Sequence, residues 1–182
     1  MALTLISTPL DITVDDTAVS SVTITSGIDS TYDSYEFHFV NMHPSNQYRQ
    51  LQFQVNAAGA SGFNETITST YFQSYHVENT TTATLYYVGY GQAQGTAYQV
   101  IGGSSGFDND QSTSGVLTLY APSSTTYVKH FTSRASTTDY APASNDVHVA
   151  GYINTTAAID EISFKFSANN IDAGTIKMFG VS

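Results

Sequence analysis

A Gly-x-Ser-x-Gly pattern at residues 102–106 resembles the turn that carries a catalytic serine. In hydrolases with this motif the serine lies between a strand and a helix, and the sharp turn exposes its hydroxyl. Tyr98 to Ile101 is predicted as the strand, but residues 107–115 have loop composition and no helical periodicity. We therefore predict a flexible hairpin loop around Ser104, without a nucleophile.

Carboxylates offer a second kind of chemistry. Asp108 and Asp110 have a spacing that calcium could use together with loop carbonyls. The residues after them lack the glycine and the closing acid of an EF-hand, so a solvated turn is favoured. A structural cation near Asp108 and Asp110 is the open alternative. Asp160 and Glu161 would point to opposite faces of a strand, which is unlike the facing carboxylates of glycoside hydrolases.

The histidines do not have the close spacing of a helix-borne metal site. We predict that they are surface or hydrogen-bonded residues and that the protein binds no metal or cofactor. Three of them lie on predicted strands and could meet in space. The five are His38, His43, His76, His130 and His148, of which the first, fourth and fifth are the strand residues.

Aromatic residues are abundant and uneven in type, with 13 Tyr, 10 Phe and no Trp. A tyrosine can bury its ring while its hydroxyl stays in water or finds a partner, so it suits both sheets and interfaces. Most of these tyrosines are expected in half-buried strands. Tyr86, Tyr87 and Tyr90 are our candidates for contact with a glycan or a partner protein.

The charge balance excludes several classes of partner. The formal net charge is −10 with only five Lys and Arg residues, whereas nucleic acids and anionic membranes require a basic surface. Cysteine is absent, so there is no disulfide framework and no thiolate site. We expect no signal peptide at residues 1–9 and no membrane span, because no long apolar run occurs.

Alternation of apolar and polar residues is the main structural signal, and it is typical of half-buried strands. An apolar fraction of 41% is sufficient for a core, and 182 residues fit one all-β domain. The pattern predicts a single-domain antiparallel β-sandwich, jelly-roll-like, with about ten short strands. The predicted strands lie near residues 22–24, 35–39, 51–55, 85–88, 98–101, 116–120, 127–131, 147–153, 162–166 and 175–179.

Gly, Ser, Asn and Pro clusters predict the turns between these strands. The predicted turns and loops include residues 26–27, 41–46, 57–62, 102–106 and 121–124. Residues 69–77 could form a turn of helix or a strand. Residues 1–25, acidic and with weak alternation, are interpreted as an edge strand or docking arm, and residues 26–182 as the sandwich domain.

Five stretches of the chain belong to a recognisable sequence type, and they lie at residues 28–37, 57–66, 127–131, 159–164 and 174–180. They resemble small structural proteins of tailed bacteriophages, particularly marine and cyanobacterial ones. The resemblance covers most of the chain beyond about residue 20 and includes no catalytic motif. It implies a non-enzymatic virion component with a jelly-roll-like sandwich, such as a capsid decoration protein or a tail appendage.

These observations lead to one expected function and one alternative. We expect a structural protein on the exterior of a tailed-phage virion, assembled in the host cytoplasm, that forms a homotrimer and binds major capsid or tail proteins. The alternative is a carbohydrate-binding adhesin module of a tail fibre that contacts host-surface glycan. A polysaccharide depolymerase ranks below both, because no residue pattern supports it.

Overall fold

The computed structural model describes residues 2–182, and every regular element in this range is a β-strand. The polar and β-branched composition explains this, because Thr, Val, Ile and Tyr fit a pleated, half-buried surface. The twelve strands are β1 Leu3–Ile12, β2 Val22–Ile24, β3 Ser34–Pro44, β4 Leu51–Ala57, β5 Ile67–Val77, β6 Ala83–Tyr87, β7 Gln99–Val100, β8 Thr113–Tyr120, β9 Lys129–Thr138, β10 Ala143–Ile153, β11 Ile159–Phe166 and β12 Ile171–Val181.

The strands form two sheets in which every pairing is antiparallel. The larger sheet has eight strands in the order β1-β12-β3-β8-β9-β10-β5-β6. The smaller sheet has four strands in the order β2-β11-β4-β7. This architecture confirms the predicted all-β, antiparallel fold class and is consistent with a β-sandwich.

The core lies between the two sheets, and aromatic side chains from both meet there. Phe37 of β3 packs on Phe164 of β11 with ring centroids 5.5 Å apart. Phe53 of β4 meets Phe131 of β9 edge to face at 5.0 Å. All four rings are buried. Because strand side chains alternate between faces, the same strands carry polar residues on the outer face of the larger sheet.

Each of the ten predicted strand segments overlaps an observed strand, but many strands are longer than predicted. β9 continues to Thr138, and its inward positions there are occupied by Ser133, Ala135 and Thr137. These side chains are too small and too weakly apolar to indicate a strand in the sequence. The undecided segment 69–77 belongs to β5, which spans Ile67–Val77.

The loop predicted at residues 41–46 is wrong in its first four residues, because β3 continues to Pro44. Asn41 adopts a positive φ of 50°, and the β3–β8 register shifts between Phe39 and Met42. This bulge lets a strand contain residues whose types suggested a turn, because asparagine tolerates the left-handed region.

Residues 2–25 contain β1 and β2, which join different sheets. β1 pairs with β12 and forms one edge of the larger sheet, while β2 pairs with β11 at an edge of the smaller one. Leu10, Val22 and Ile24 are buried in the common core. The N-terminal segment is therefore packed into the sandwich over part of its length.

Candidate functional site

The Ser104 loop crosses from the smaller layer towards the end of β9 and β10, and no helix follows it. The Ser104 hydroxyl accepts a hydrogen bond from the Gln50 amide at 3.2 Å. The glycine beside it has a packing role, since a Cβ at Gly103 would lie 3.1 Å from the Thr137 Cβ. Of the two motif glycines, Gly102 is close to the Thr113 side chain and Gly106 to the Gln111 side chain, so close packing in the loop accounts for both.

Asp108 and Asp110 lie in an exposed turn before β8. The Asp108 carbonyl accepts the backbone N–H of Gln111 at 2.8 Å and lies 3.1 Å from His43 Nε2. His43 Nδ1 lies 2.6 Å from Asp172 Oδ1, so this histidine links the turn to β12. Among residues 2–182 no group of three or more His, Cys, Asp or Glu side chains could hold a metal ion.

The three strand histidines share the outer face of the larger sheet but do not come together. His38 of β3 and His148 of β10 lie in the same cross-strand row of the sheet. Val116 of β8 and Arg134 of β9 lie between them in that row, so two strands separate the histidines. His130 lies beside Tyr152 instead, with ring centroids 6.3 Å apart. The strand order therefore spreads these side chains over the sheet.

Near β10 the outer face carries a small network of charged and aromatic groups. Arg134 donates two hydrogen bonds of 3.1 Å to the Asp146 carboxylate, and these bonds hold the pKa of Asp146 below its usual value. His148 Nε2 lies 3.2 Å from the same carboxylate, and its ring stacks on Phe72 at 5.0 Å. Arg134 is exposed, so the pair adds little stability and serves mainly to orient the guanidinium.

The three tyrosines singled out from the sequence point in different directions. Tyr87 pairs with Phe72 and lies on the outer face of the larger sheet, at its β6 edge. Tyr86 pairs with Gln73 and faces the opposite, inner side. Tyr90 follows β6 and meets the buried Tyr71 edge to face at 5.3 Å. They do not form one surface, and Tyr86 belongs to a separate hollow.

That hollow exists because the smaller sheet ends before the larger one does. β7, its last strand, has only two residues, and the Ser104 loop covers the next part of β9. Beyond this cover the inner faces of β10, β5 and β6 are open. We call the resulting hollow the overhang pocket. Its volume is about 260 Å³, and it is bounded chiefly by Tyr75, Tyr86, Asp139, Tyr140, Ala143 and Asn145.

The aromatic walls of the overhang pocket are held in place by other rings. Tyr75 and Tyr86 meet edge to face, with centroids 5.9 Å apart. On the opposite side Tyr140 packs on Tyr48 at 3.8 Å. These contacts fix each wall by aromatic packing, which is favourable beyond the area that it buries.

Polar groups form a connected network between the walls. The Asp139 carboxylate accepts the Asn145 amide at 3.0 Å and the Ala141 N–H at 3.3 Å. The Gln73 amide donates to the Tyr86 hydroxyl at 2.6 Å and to the Asn145 carbonyl oxygen at 3.4 Å. Asn145 is only 2% exposed, so this network is fixed by burial as well as by hydrogen bonds.

Burial raises the pKa of Asp139 above its ordinary value of 3.8, and hydrogen bonds from Ala141 and Asn145 oppose the shift only in part. A raised pKa means that the folded protein binds this proton more tightly than the unfolded chain does. The contribution of Asp139 to stability therefore falls as the pH rises from 3.8 through the folded-state pKa. Above the folded-state pKa this contribution is absent.

Sequence reasoning named Tyr86 but did not name Asp139, Tyr140 or Asn145. Asp139 and Tyr140 lie in the β9–β10 hairpin turn, and their composition is that of any polar turn. Only the pairing of β10 with β5, and of β5 with β6, brings the hairpin opposite Tyr86.

No protein-family model, curated protein or solved structure matches this chain. Within residues 2–182 there is also no helix long and apolar enough to cross a membrane. The candidate functional surfaces are therefore those of the chain itself: the overhang pocket, the outer face near β10 and the sheet edges.

Proposed function

We propose that the protein is a non-enzymatic structural component on the exterior of a tailed-phage virion, either a capsid decoration protein or a tail-associated component. The resemblance of the five segments described above supports the phage assignment. The observation that carries the structural role is the open β6 edge of the larger sheet. There, five consecutive residues are exposed and none is charged.

The two edges of the larger sheet differ in how they are protected. Edge strands of soluble monomers are usually blunted by proline or charge, because unpaired backbone groups recruit other chains. β1 contains Pro9 and Asp11, which serve this purpose. β6 has the sequence Ala-Thr-Leu-Tyr-Tyr and contains neither. An unprotected edge suits a chain that is joined to its neighbours, and we propose β6 as that joint.

The strand order also supports the jelly-roll subtype. In an eight-stranded jelly roll, with strands lettered B to I, one sheet has the order B-I-D-G and the other C-H-E-F, which follows from its two Greek keys. The order β2-β11-β4-β7 corresponds to the first sheet. In the second, β3, β5 and β6 correspond to C, E and F, and the meander β8–β10 replaces H. We infer a jelly roll widened by this meander and by β1 and β12.

Replacing Leu85 with lysine is expected to weaken self-association at the β6 edge by tenfold or more, because a charge on an edge strand opposes pairing. Leu85 is 71% exposed, so the fold should be unaffected. Light scattering after size exclusion should show trimers of the 19.6 kDa chain for the unmodified protein and smaller species for the variant.

Val14→Lys is the matched control, because Val14 is 54% exposed in a turn between β1 and β2. It should associate like the unmodified protein. Equal masses for the Leu85→Lys variant and the control at every concentration would rule out β6 as the joint.

A carbohydrate-binding adhesin module is the second candidate function. The overhang pocket favours it, because this hollow has tyrosine walls and a carboxylate between them. The two functions are compatible, since a virion component can also contact the host surface.

A further inference from the structure

The overhang pocket contains unused hydrogen-bonding capacity at fixed positions. A carboxylate offers about four acceptor positions, and the Asn145 amide and the backbone N–H groups of Ala141 and Tyr140 leave part of this capacity at Asp139 unused. The Tyr86 hydroxyl accepts the Gln73 amide, which leaves its own proton for another acceptor. The pocket therefore presents acceptors at Asp139 and a donor at Tyr86. Hydroxyl groups, which both donate and accept, satisfy this combination.

The tyrosine walls of the overhang pocket favour a ligand with a saturated ring, whose C–H groups can pack on the tyrosine faces. The face of a tyrosine ring carries partial negative charge, and it attracts the polarised C–H groups on the apolar side of a sugar. Tyr86 on β6 and Tyr140 in the β9–β10 hairpin both line the pocket with β5 and β10 between them, and Tyr75 and Tyr48 pack against them. A sugar ring with C–H groups on its faces and hydroxyls at its rim matches this arrangement of walls and polar groups.

The volume of the pocket and the charge of its lining further restrict the class of ligand. Liquid water occupies about 30 Å³ per molecule, so 260 Å³ corresponds to about nine waters, which is space for one pyranose ring. No Lys or Arg lines the pocket, whereas Asp139 does, and the chain carries a net charge of −10. Anionic sugars such as uronic or sialic acids are therefore disfavoured.

We propose that the overhang pocket binds one neutral pyranose residue of a glycan, between Tyr86 and Tyr140 and with hydroxyls bonded to Asp139. This inference gives the adhesin function a location and rests on that second candidate function. It does not depend on whether the protein is part of a virion. Quantitative mass spectrometry of phage particles and a sugar-binding experiment can therefore fail separately.

Saturation-transfer difference NMR on the full chain tests the site, because it detects the ligand's protons whatever the oligomeric state. The probes are the methyl glycosides of glucose, galactose, mannose and N-acetylglucosamine, each titrated to about 50 mM. We expect saturable transfer to at least one of them with a Kd of the order of 1 mM, which is weak binding typical of a single ring. Transfer should be stronger to the C–H protons of the ring than to those of the methyl aglycone.

Tyr140→Ala should weaken this binding about tenfold by removing one wall, and Asp139→Asn about fivefold by weakening the acceptors. Asp139→Asn keeps the size of the side chain but turns one acceptor oxygen into an amide donor facing Asn145 or Ala141, so the thermal midpoint of both variants is measured beside the binding and should stay well above the temperature of the NMR experiment. Lost binding together with retained stability would be the signature of a site residue, because a variant that merely damages the fold would lose both.

Tyr127→Ala is the matched control, because Tyr127 is 73% exposed just before β9, at the end opposite to Asp139. Its binding should equal that of the unmodified protein. Absence of saturable transfer from all four glycosides would overturn the proposal. Transfer that is unchanged by both Tyr140→Ala and Asp139→Asn would overturn it equally, since the sugar would then bind elsewhere.

Discussion

Replacing Phe164 with alanine is expected to lower the free energy of unfolding by about 4 kcal/mol, because the buried ring leaves a cavity between two sheets that cannot collapse freely. Phe164 lies on β11, which is flanked by β2 and β4, and its ring is fully buried against Phe37. Urea unfolding followed by circular dichroism gives the difference.

Phe107→Ala provides the comparison, because Phe107 is 47% exposed in the loop before β8. Its effect should stay within about 0.5 kcal/mol. A loss below about 1 kcal/mol for Phe164→Ala would contradict a core formed by the faces of both sheets.

Adding one methyl group at Gly115 is expected to cost about 3 kcal/mol, because there is no space for it between β3 and β9. A Cβ at this position would contact the Arg134 carbonyl oxygen and would lie 2.7 Å from the Ala135 Cα and 2.8 Å from the Phe39 ring. Two of these atoms belong to the backbone of a paired strand, so they can move only if the β8–β9 ladder is distorted.

Gly89→Ala is the control for this substitution, since a Cβ at Gly89 would have no heavy atom within 4 Å. Thermal unfolding should show a clearly lower midpoint for Gly115→Ala and almost no change for Gly89→Ala. Similar midpoints for both variants would show that β8 and β9 are not paired in the register described.

The strands that could be predicted from sequence are those whose buried positions carry large apolar side chains. Tyr35, Phe37 and Phe39 alternate with polar residues, and all three lie in the core. The second half of β9 gave no such signal, since its buried residues include Ser133 and Thr137. The Ser104 loop covers these small residues, and their burial depends on that cover rather than on the segment itself.

Lys129 illustrates a different limit. A lysine on a strand is expected to face solvent, yet Lys129 is buried at the start of β9. Its ammonium group donates to the carbonyl oxygens of Tyr127 at 2.8 Å and Thr155 at 3.2 Å. Two loop carbonyls in reach make the burial tolerable, because a buried charge needs hydrogen-bond partners. A sequence pattern does not contain that information.

The candidate site was only partly predictable, because it is formed by segments that are distant in the sequence. Tyrosine enrichment near residues 86–90 suggested a ligand surface, and Tyr86 does line the overhang pocket. Tyr87 points to the other face because neighbouring residues of a strand alternate. The partners of Tyr86, which are Asp139, Tyr140 and Asn145, come from the β9–β10 hairpin. Their proximity to β6 results from the order of β10, β5 and β6 in the sheet.

The central proposal is that the protein lies on the exterior of a tailed-phage particle. Quantitative mass spectrometry of purified phage particles tests it most directly. If the proposed function holds, particles of a tailed phage whose genome carries this sequence should contain the protein in several copies, in a fixed ratio to the major capsid protein or to a tail protein. The ratio should persist after protease-free washing in high salt if sheet pairing holds the protein in place. Particles that contain none of the chain, or only traces without a fixed ratio, would contradict the proposed function.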